Sequence, residues 1–117
     1  MFEKNMRIAY LCDFYIDLLD EHSQSIIKAY YEDDLSLAEI AADEGISRQG
    51  IRHIIKKCED LILFYEERLG LSKRYAELES AKDELSLVKD KLLSSAIEDK
   101  AEIAEKIDGV INTITNR

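Results

Sequence analysis

The segment from Ser36 to Lys57, SLAEIAADEGISRQGIRHIIKK, decides the fold of this chain, because it contains two helical patterns joined by a tight turn. Ser36 and Glu39 have the S-x-x-E spacing of a capping box, in which each side chain accepts a hydrogen bond from a backbone N–H at the start of a helix. Gly45 suits the left-handed conformation that ends a helix. Ser47 is a favoured N-cap for a second helix. The segment therefore predicts a helix-turn-helix.

The second helix of this motif has two chemically different faces. Its inward face is apolar and consists of Ile51, Ile54, Ile55 and Cys58. In helix-turn-helix proteins the second helix enters the DNA major groove with its outer face. The predicted DNA-binding residues are therefore the cap and the outward side chains: Ser47, Arg48, Gln49, Arg52, His53 and Lys56.

The outward side chains have the chemistry that nucleic-acid recognition uses. Arg48 and Arg52 lie one helical turn apart, and each suits bidentate contact with guanine O6 and N7 or with phosphate. Gln49 suits the adenine edge, whereas His53 and Lys56 suit backbone phosphates. The alternative is an ordinary charged helix surface with no ligand.

Composition favours an all-α fold. The 117 residues include no proline and only four glycines, so little in the chain interrupts a helix. We expect a helix-turn-helix domain over residues 1–70. A long helical extension is expected over residues 71–117.

The net charge of −9 is unusual for a nucleic-acid binder, because phosphate contacts supply most of the affinity of such proteins. The charge is unevenly distributed: residues 1–35 carry −5, residues 36–65 carry −1 and residues 66–117 carry −3. All four bases of the middle segment lie between Arg48 and Lys57, with no acid among them. The placement favours DNA binding, while the total charge favours weak binding or a protein partner.

Amphipathic patterns predict helices on both sides of the motif. A broad apolar stripe predicts a helix over residues 3–19, and Asp20 or Ser23 is expected to cap a second helix. The second helix of the motif is expected to continue to Leu69, before Gly70. Residues 72–93 and about 98–114 are predicted as two further helices, with Ser94 and Ser95 at the bend between them.

The first of these C-terminal helices has leucines seven residues apart, at Leu71, Leu78, Leu85 and Leu92. This spacing resembles a short coiled-coil seam. The last helix offers a matching stripe of Ile103, Ile107, Val110, Ile111 and Ile114. The two stripes predict pairing within one chain, between chains, or both. We favour a homodimer through this region.

Nothing in the sequence has the spacing of a catalytic or metal site. Asp13 and Asp17 are one turn apart with no third ligand, and the acidic run 32–34 lacks the calcium-loop pattern. Cys12 and Cys58 are expected to be buried apolar side chains. We therefore predict no enzyme activity, no cofactor and no metal. No apolar run reaches the roughly 18 residues of a membrane span, so we expect a cytoplasmic protein without membrane insertion.

The stretch from residue 19 to residue 57, LDEHSQSIIKAYYEDDLSLAEIAADEGISRQGIRHIIKK, resembles region 4 of bacterial sigma factors. It is more similar to the YlxM family, small helix-turn-helix proteins of Gram-positive bacteria, above all in YYEDDLSLAEIA and GISRQGI. Gly50 stands where alanine is common in such motifs. The resemblance implies a sigma-like DNA-binding head, a regulatory role and an accessory role in the signal recognition particle pathway.

The leading hypothesis is thus a dimeric, non-enzymatic regulatory protein that binds nucleic acid, in the form of duplex DNA. The resemblance adds signal recognition particle protein or RNA as a further partner. The alternative is an acidic adaptor that binds a component of that particle, with little or no DNA binding.

Overall fold

The computed structural model describes residues 4–93 and 100–115, and all regular structure in these ranges is helical. The helices are α1 Met6–Tyr15, α2 Glu21–Tyr31, α3 Leu37–Glu44, α4 Arg48–Leu69, α5 Leu71–Leu93 and α6 Lys100–Thr115. The predicted all-α class is confirmed. The chain divides into two compact units, a head over Met1–Leu71 and a tail over Ser72–Arg117. Within the described ranges, no helix combines the length and apolar character that crossing a bilayer requires.

The first predicted helix is shorter than the stripe over residues 3–19 indicated. Asn5 caps α1 by accepting hydrogen bonds from the N–H groups of Arg7 and Ile8. The helix ends at Tyr15 and is followed by one 3₁₀ turn, Ile16–Leu18. The extended backbone at Leu19 buries that side chain and leaves Leu18 about half exposed. The single long helix was wrong because a tertiary packing requirement at Leu19 overrides the local apolar pattern.

The core of the head forms around α4, which packs against α1, α2 and α3. Along α4 the buried side chains are Ile51, Ile55, Cys58 and Ile62, whereas the predicted inward residue Ile54 is only partly buried. The other helices contribute Ile8, Leu11, Cys12 and Tyr15 from α1, Ile26, Ile27 and Tyr30 from α2, and Ile40 and Ala41 from α3. Full burial of one such aliphatic side chain stabilises a fold by about 1.5–3 kcal/mol. The central position of α4 therefore fixes the orientation of its exposed face.

The helix-turn-helix has the predicted cap geometry. The Glu39 N–H donates to Ser36 Oγ at 3.1 Å, and the Ser36 N–H donates to Glu39 Oε1 at 3.1 Å. Gly45 has φ of 70°, and its N–H donates to the Ala41 carbonyl at 2.9 Å. Asp20 caps the start of α2, where its carboxylate accepts a hydrogen bond from the Ser23 N–H. Ile46, which follows the turn, keeps 39% of its surface exposed.

In the tail, α5 and α6 pair within the chain as an antiparallel hairpin. The guanidinium of Arg74, near the start of α5, donates to the carbonyls of Thr113 and Ile114 at the end of α6. At the other end of the pair, Lys91 Nζ lies 3.5 Å from Glu102 Oε1. The predicted bend at residues 94 and 95 lies outside the described residues.

The leucine spacing of α5 does not mark the packed face of this hairpin. The buried apolar residues of the tail are Ala81, Val88 and Val110. The residues at seven-residue spacing are exposed by 42–56%: Leu71, Leu78, Leu85 and Leu92. On α6, Ile103 and Ile107 are partly buried, whereas Ile111 and Ile114 are exposed. Within one chain, Ala81 and Val88 are therefore packed, whereas the leucines of the predicted seam remain exposed.

Candidate nucleic-acid interface

The structure brings the six predicted site residues to one surface, at the start of α4. Ser47 is the N-cap, and the five outward residues Arg48, Gln49, Arg52, His53 and Lys56 are all exposed. Residues four apart lie on the same side of a helix, so the side chains form two adjacent rows. The opposite face of the same turns is buried in the core. The surface is therefore rigidly presented by a helix whose rotation is fixed.

The first turn of α4 is built around Ser47 and Gly50. The Gly50 N–H donates to Ser47 Oγ at 2.9 Å, so the serine hydroxyl serves as the helix cap. A Cβ added at Gly50 would lie 3.3 Å from Ser47 Oγ and 3.6 Å from Ile46 Cδ1. The contact with Ile46 would be an ordinary van der Waals distance, whereas Ser47 Oγ would have to move by a few tenths of an ångström. An alanine at position 50 would therefore press on the cap and not on the core.

The cations of this surface differ in how they are paired. No ion pair or side-chain hydrogen bond joins Arg48, Gln49 or His53 to another residue of the described ranges. Lys56, in contrast, forms an ion pair with Asp60 at 3.1 Å, one turn further along α4. The acid-free run of the sequence therefore does not keep Lys56 free of acids. An exposed pair of this kind contributes only about 0.3–0.5 kcal/mol, so a phosphate displaces it readily.

Arg52 lies close to the buried ring of Tyr30 on α2. Burial raises the pKa of the Tyr30 phenol, Glu59 raises that pKa further, and the positive charge of Arg52 opposes the shift. The ring is 4% exposed and belongs to the core. Arg52 and Tyr30 line the same groove.

A groove of about 770 Å³ adjoins the exposed surface at the start of α4. Its lining includes Arg48, Gln49 and Arg52 from α4, and Lys4 and Asp34 from outside that helix. Lys4 and Asp34 form an ion pair, and Lys4 Nζ lies 5.1 Å from the centroid of the Tyr30 ring. Lys4 was not predictable from sequence spacing, because it lies 30 residues from Asp34 and outside the helix-turn-helix. Only the packing of the N-terminal segment against α2 brings this cation to the groove.

The acid beside the turn of the motif also has a structural partner. Glu44, the last residue of α3, lies with its Oε2 atom 2.9 Å from His22 Nε2 on α2. This contact holds the carboxylate on the α2 side, 24% exposed, while the recognition surface lies on α4. An acid next to the turn is therefore compatible with a cationic outer face of α4.

No group of three histidine, cysteine or acidic side chains among the described residues is placed to hold a metal ion. Burial raises the pKa of the Cys12 thiol to about 11 and also raises that of Cys58. Nucleophilic cysteines need a lowered pKa and access to solvent. The exposed surface at the start of α4 thus presents cationic side chains and one amide on a rigid helix.

Comparison with known proteins identifies a family over nearly the whole chain. Residues 2–107 match the model of the UPF0122 family, described as "Putative helix-turn-helix protein, YlxM / p13 like". A UPF0122 protein of Listeria innocua is 40% identical over 110 residues, which is 92% of this chain and all of the relative. One from Clostridium kluyveri is 37% identical over 109 residues, 93% of this chain and 96% of the relative. One from Symbiobacterium thermophilum is 43% identical over 90 residues, 77% of this chain and 84% of the relative.

Proposed function

The chain belongs to the YlxM/p13-like UPF0122 family of helix-turn-helix proteins, and we propose that it is a regulatory, non-enzymatic protein that binds duplex DNA through the outer face of α4. The observation that carries this proposal is the exposed surface at the start of α4, in a chain of net charge −9. Arg48 and Arg52 contact guanine edges or phosphates, and Gln49 contacts adenine. His53, Lys56 and the Ser47 hydroxyl contact the backbone.

The test is a comparison of two triple variants that change the net charge equally. One replaces Arg48, Arg52 and Lys56 by alanine. The control replaces three exposed lysines of the tail unit, Lys73, Lys89 and Lys100. Binding to mixed-sequence duplex DNA is followed by fluorescence anisotropy at several salt concentrations.

Each phosphate contact contributes about 0.9 to the slope of log affinity against log salt, so loss of three contacts reduces the slope by up to roughly 2.7. We expect this reduction in the α4 variant and a smaller change in the control. Equal effects in both variants would show that general charge, and not the α4 surface, governs binding.

The protein is further proposed to be a homodimer whose second copy covers the exposed apolar face of the tail. Leu78, Leu85 and Leu92 lie at heptad spacing on α5 and are 44%, 44% and 56% exposed. Their neighbours in the same pattern, Ala81 and Val88, already pack in the hairpin of one chain. A second copy would complete this seam, because leucines seven residues apart form the apolar stripe of paired helices.

Light scattering after size exclusion tests the dimer. The wild type is expected at about twice the 13.5 kDa of one chain. The variant Leu78→Glu/Leu85→Glu is expected at one. The control is Leu93→Glu, a leucine that is 79% exposed and lies off the heptad. A monomeric wild type, or a dimer that survives the double substitution, would contradict this interface.

The family resemblance supports a place for this regulation in the signal recognition particle pathway, in the cytoplasm. A second candidate function follows from the net charge of −9, with −3 on residues 66–117 beside exposed leucines. On this candidate the chain is an acidic adaptor. It binds a basic surface on a component of that particle, such as the region of that component that binds RNA. Pull-down with the purified GTPase of the particle at low salt tests it. Recovery that the α4 variant leaves unchanged would favour the adaptor, whereas no recovery would count against it.

A further inference from the structure

Lys4 is a cation outside the helix-turn-helix that lines the same groove as Arg48 and Arg52. Two contacts hold it there. Its Nζ atom lies 5.1 Å from the centroid of the Tyr30 ring, and its ammonium pairs with the Asp34 carboxylate. The buried ring is part of the core, so the lysine is held by a fixed element of the head.

The two members of this ion pair are unequally held. The Lys4 side chain is 28% exposed, whereas that of Asp34 is 87% exposed. Asp34 lies in the loop between α2 and α3 with φ of 57°. Its pKa is lowered chiefly by the hydrogen bond from Lys4 and by the positive charge of that residue. The cation is thus fixed by an aromatic face, while its acidic partner projects into water and can rotate away.

We propose that Lys4 is a further phosphate-contacting residue of the DNA interface, and that Asp34 pairs with it only until a phosphate takes its place. This inference rests on the proposed function. Lys4 lines the same groove as Arg48 and Arg52, so a strand lying in this groove meets the lysine as well as the arginines. A backbone phosphate is the expected occupant, because Lys acts as a point charge for phosphate without a demand for planar geometry.

Asp34 then acts against binding in two ways. It occupies Lys4 in the free protein, and its charge repels the incoming phosphate. Exposed ion pairs are weak, so the exchange of carboxylate for phosphate is feasible. Removal of the carboxylate is expected to tighten DNA binding by about 1.5- to 5-fold, the range that corresponds to the usual strength of such pairs. Removal of Lys4 is expected to reduce the salt slope by about 0.9, the value for one phosphate.

The experiment measures anisotropy with mixed-sequence duplex DNA for the wild type, Lys4→Gln, Asp34→Asn and the double variant. Asparagine tolerates the left-handed backbone of position 34, so the substitution leaves the loop intact. Asp33→Asn is the matched control, since it removes a neighbouring exposed acid that does not pair with Lys4. Thermal unfolding of each variant confirms that the head remains folded.

We expect Asp34→Asn to tighten binding more than Asp33→Asn, and this difference to vanish when Lys4 is replaced. If the wild type binds and Lys4→Gln leaves the salt slope unchanged, the inference is overturned and the proposed function stands. The inference also fails if Asp34→Asn tightens binding equally with and without Lys4. Absence of binding by both the wild type and Asp34→Asn would overturn the inference and the proposed function together. Binding by Asp34→Asn alone would support the inference.

Discussion

Replacing Tyr15 by phenylalanine tests how the head holds the C-terminal end of α4. The Tyr15 ring is fully buried between α1 and α4, and its hydroxyl donates to the Glu66 carboxylate near the end of α4. The same oxygen accepts the Leu71 N–H at 2.9 Å, just after the left-handed cap at Gly70. One hydroxyl therefore satisfies an acid of α4 and the backbone N–H of Leu71, which follows the Gly70 cap.

The expected cost follows from these two hydrogen bonds. A neutral hydrogen bond contributes about 0.5–1.5 kcal/mol and one to a charged group about 1.5–3 kcal/mol. Glu66 is partly exposed, so water replaces some of its lost interaction. We therefore expect Tyr15→Phe to lower the free energy of unfolding by about 2–3 kcal/mol. For a unit of this size each kcal/mol corresponds to roughly 4–8 °C in Tm.

Urea and thermal unfolding followed by far-ultraviolet circular dichroism measure this loss. The control is Tyr10→Phe on the same helix, because the Tyr10 ring is 46% exposed and its hydroxyl has no partner among the described residues. The control is expected to match the wild type. If Tyr15→Phe also unfolds within a degree of the wild type, the hydroxyl does not join the two helix ends and the reasoning is refuted.

Three further predictions concern a glycine of the tail, the N-cap of α4 and a buried thiol. Gly109→Ala is expected to stabilise the tail by up to about 1 kcal/mol in urea unfolding, because an added Cβ meets nothing within 4 Å; a loss of stability would indicate that glycine is needed for close approach. Ser47→Ala is expected to cost about 1 kcal/mol by loss of the α4 cap and to weaken DNA binding, and unchanged values of both would argue against the cap. Cys12 is expected to resist thiol reagents at pH 8 until the head unfolds, because its pKa is about 11. This raised pKa contributes stability that is fully present below pH 9 and is lost as the pH rises towards 11; rapid labelling of the native protein would contradict its burial.

The helix-turn-helix was predictable from sequence because its determinants are local. Ser36 and Glu39 cap α3 within one turn, Gly45 ends it, and Ser47 starts α4. Each of these interactions joins residues at most four apart, so spacing alone carries the information. The all-α class was predictable because the chain contains no proline to interrupt its helices.

Features that depend on distant residues were not predictable. The ion pair of Lys4 with Asp34 spans 30 positions and has no sequence signature. The break of α1 before Leu19 follows from burial of one side chain in the finished core. The leucine spacing of α5 was also ambiguous, because a heptad pattern does not tell which of its positions a partner helix covers. In the hairpin, Ala81 and Val88 are buried and the leucines remain exposed.

The DNA-binding role of the α4 residues remains a prediction, and the reason is electrostatic. A cationic helix face in a chain of net charge −9 is subject to opposing effects, short-range attraction by the arginines and longer-range repulsion by the remaining acids. Sequence spacing places the arginines on one face but does not weigh these effects. Added salt weakens both the long-range repulsion and the phosphate contacts. The balance between these two effects is therefore measured by following DNA binding at several salt concentrations.

The most direct test of the central claim is the salt dependence of wild-type binding to mixed-sequence duplex DNA. Three or more phosphate contacts predict a log–log slope steeper than about −2.7. Such a slope would establish α4 as a nucleic-acid reader once the alanine variant flattens it. Absence of binding at low salt, with the protein folded and dimeric, would contradict the account and leave the helix-turn-helix as a scaffold for a protein partner.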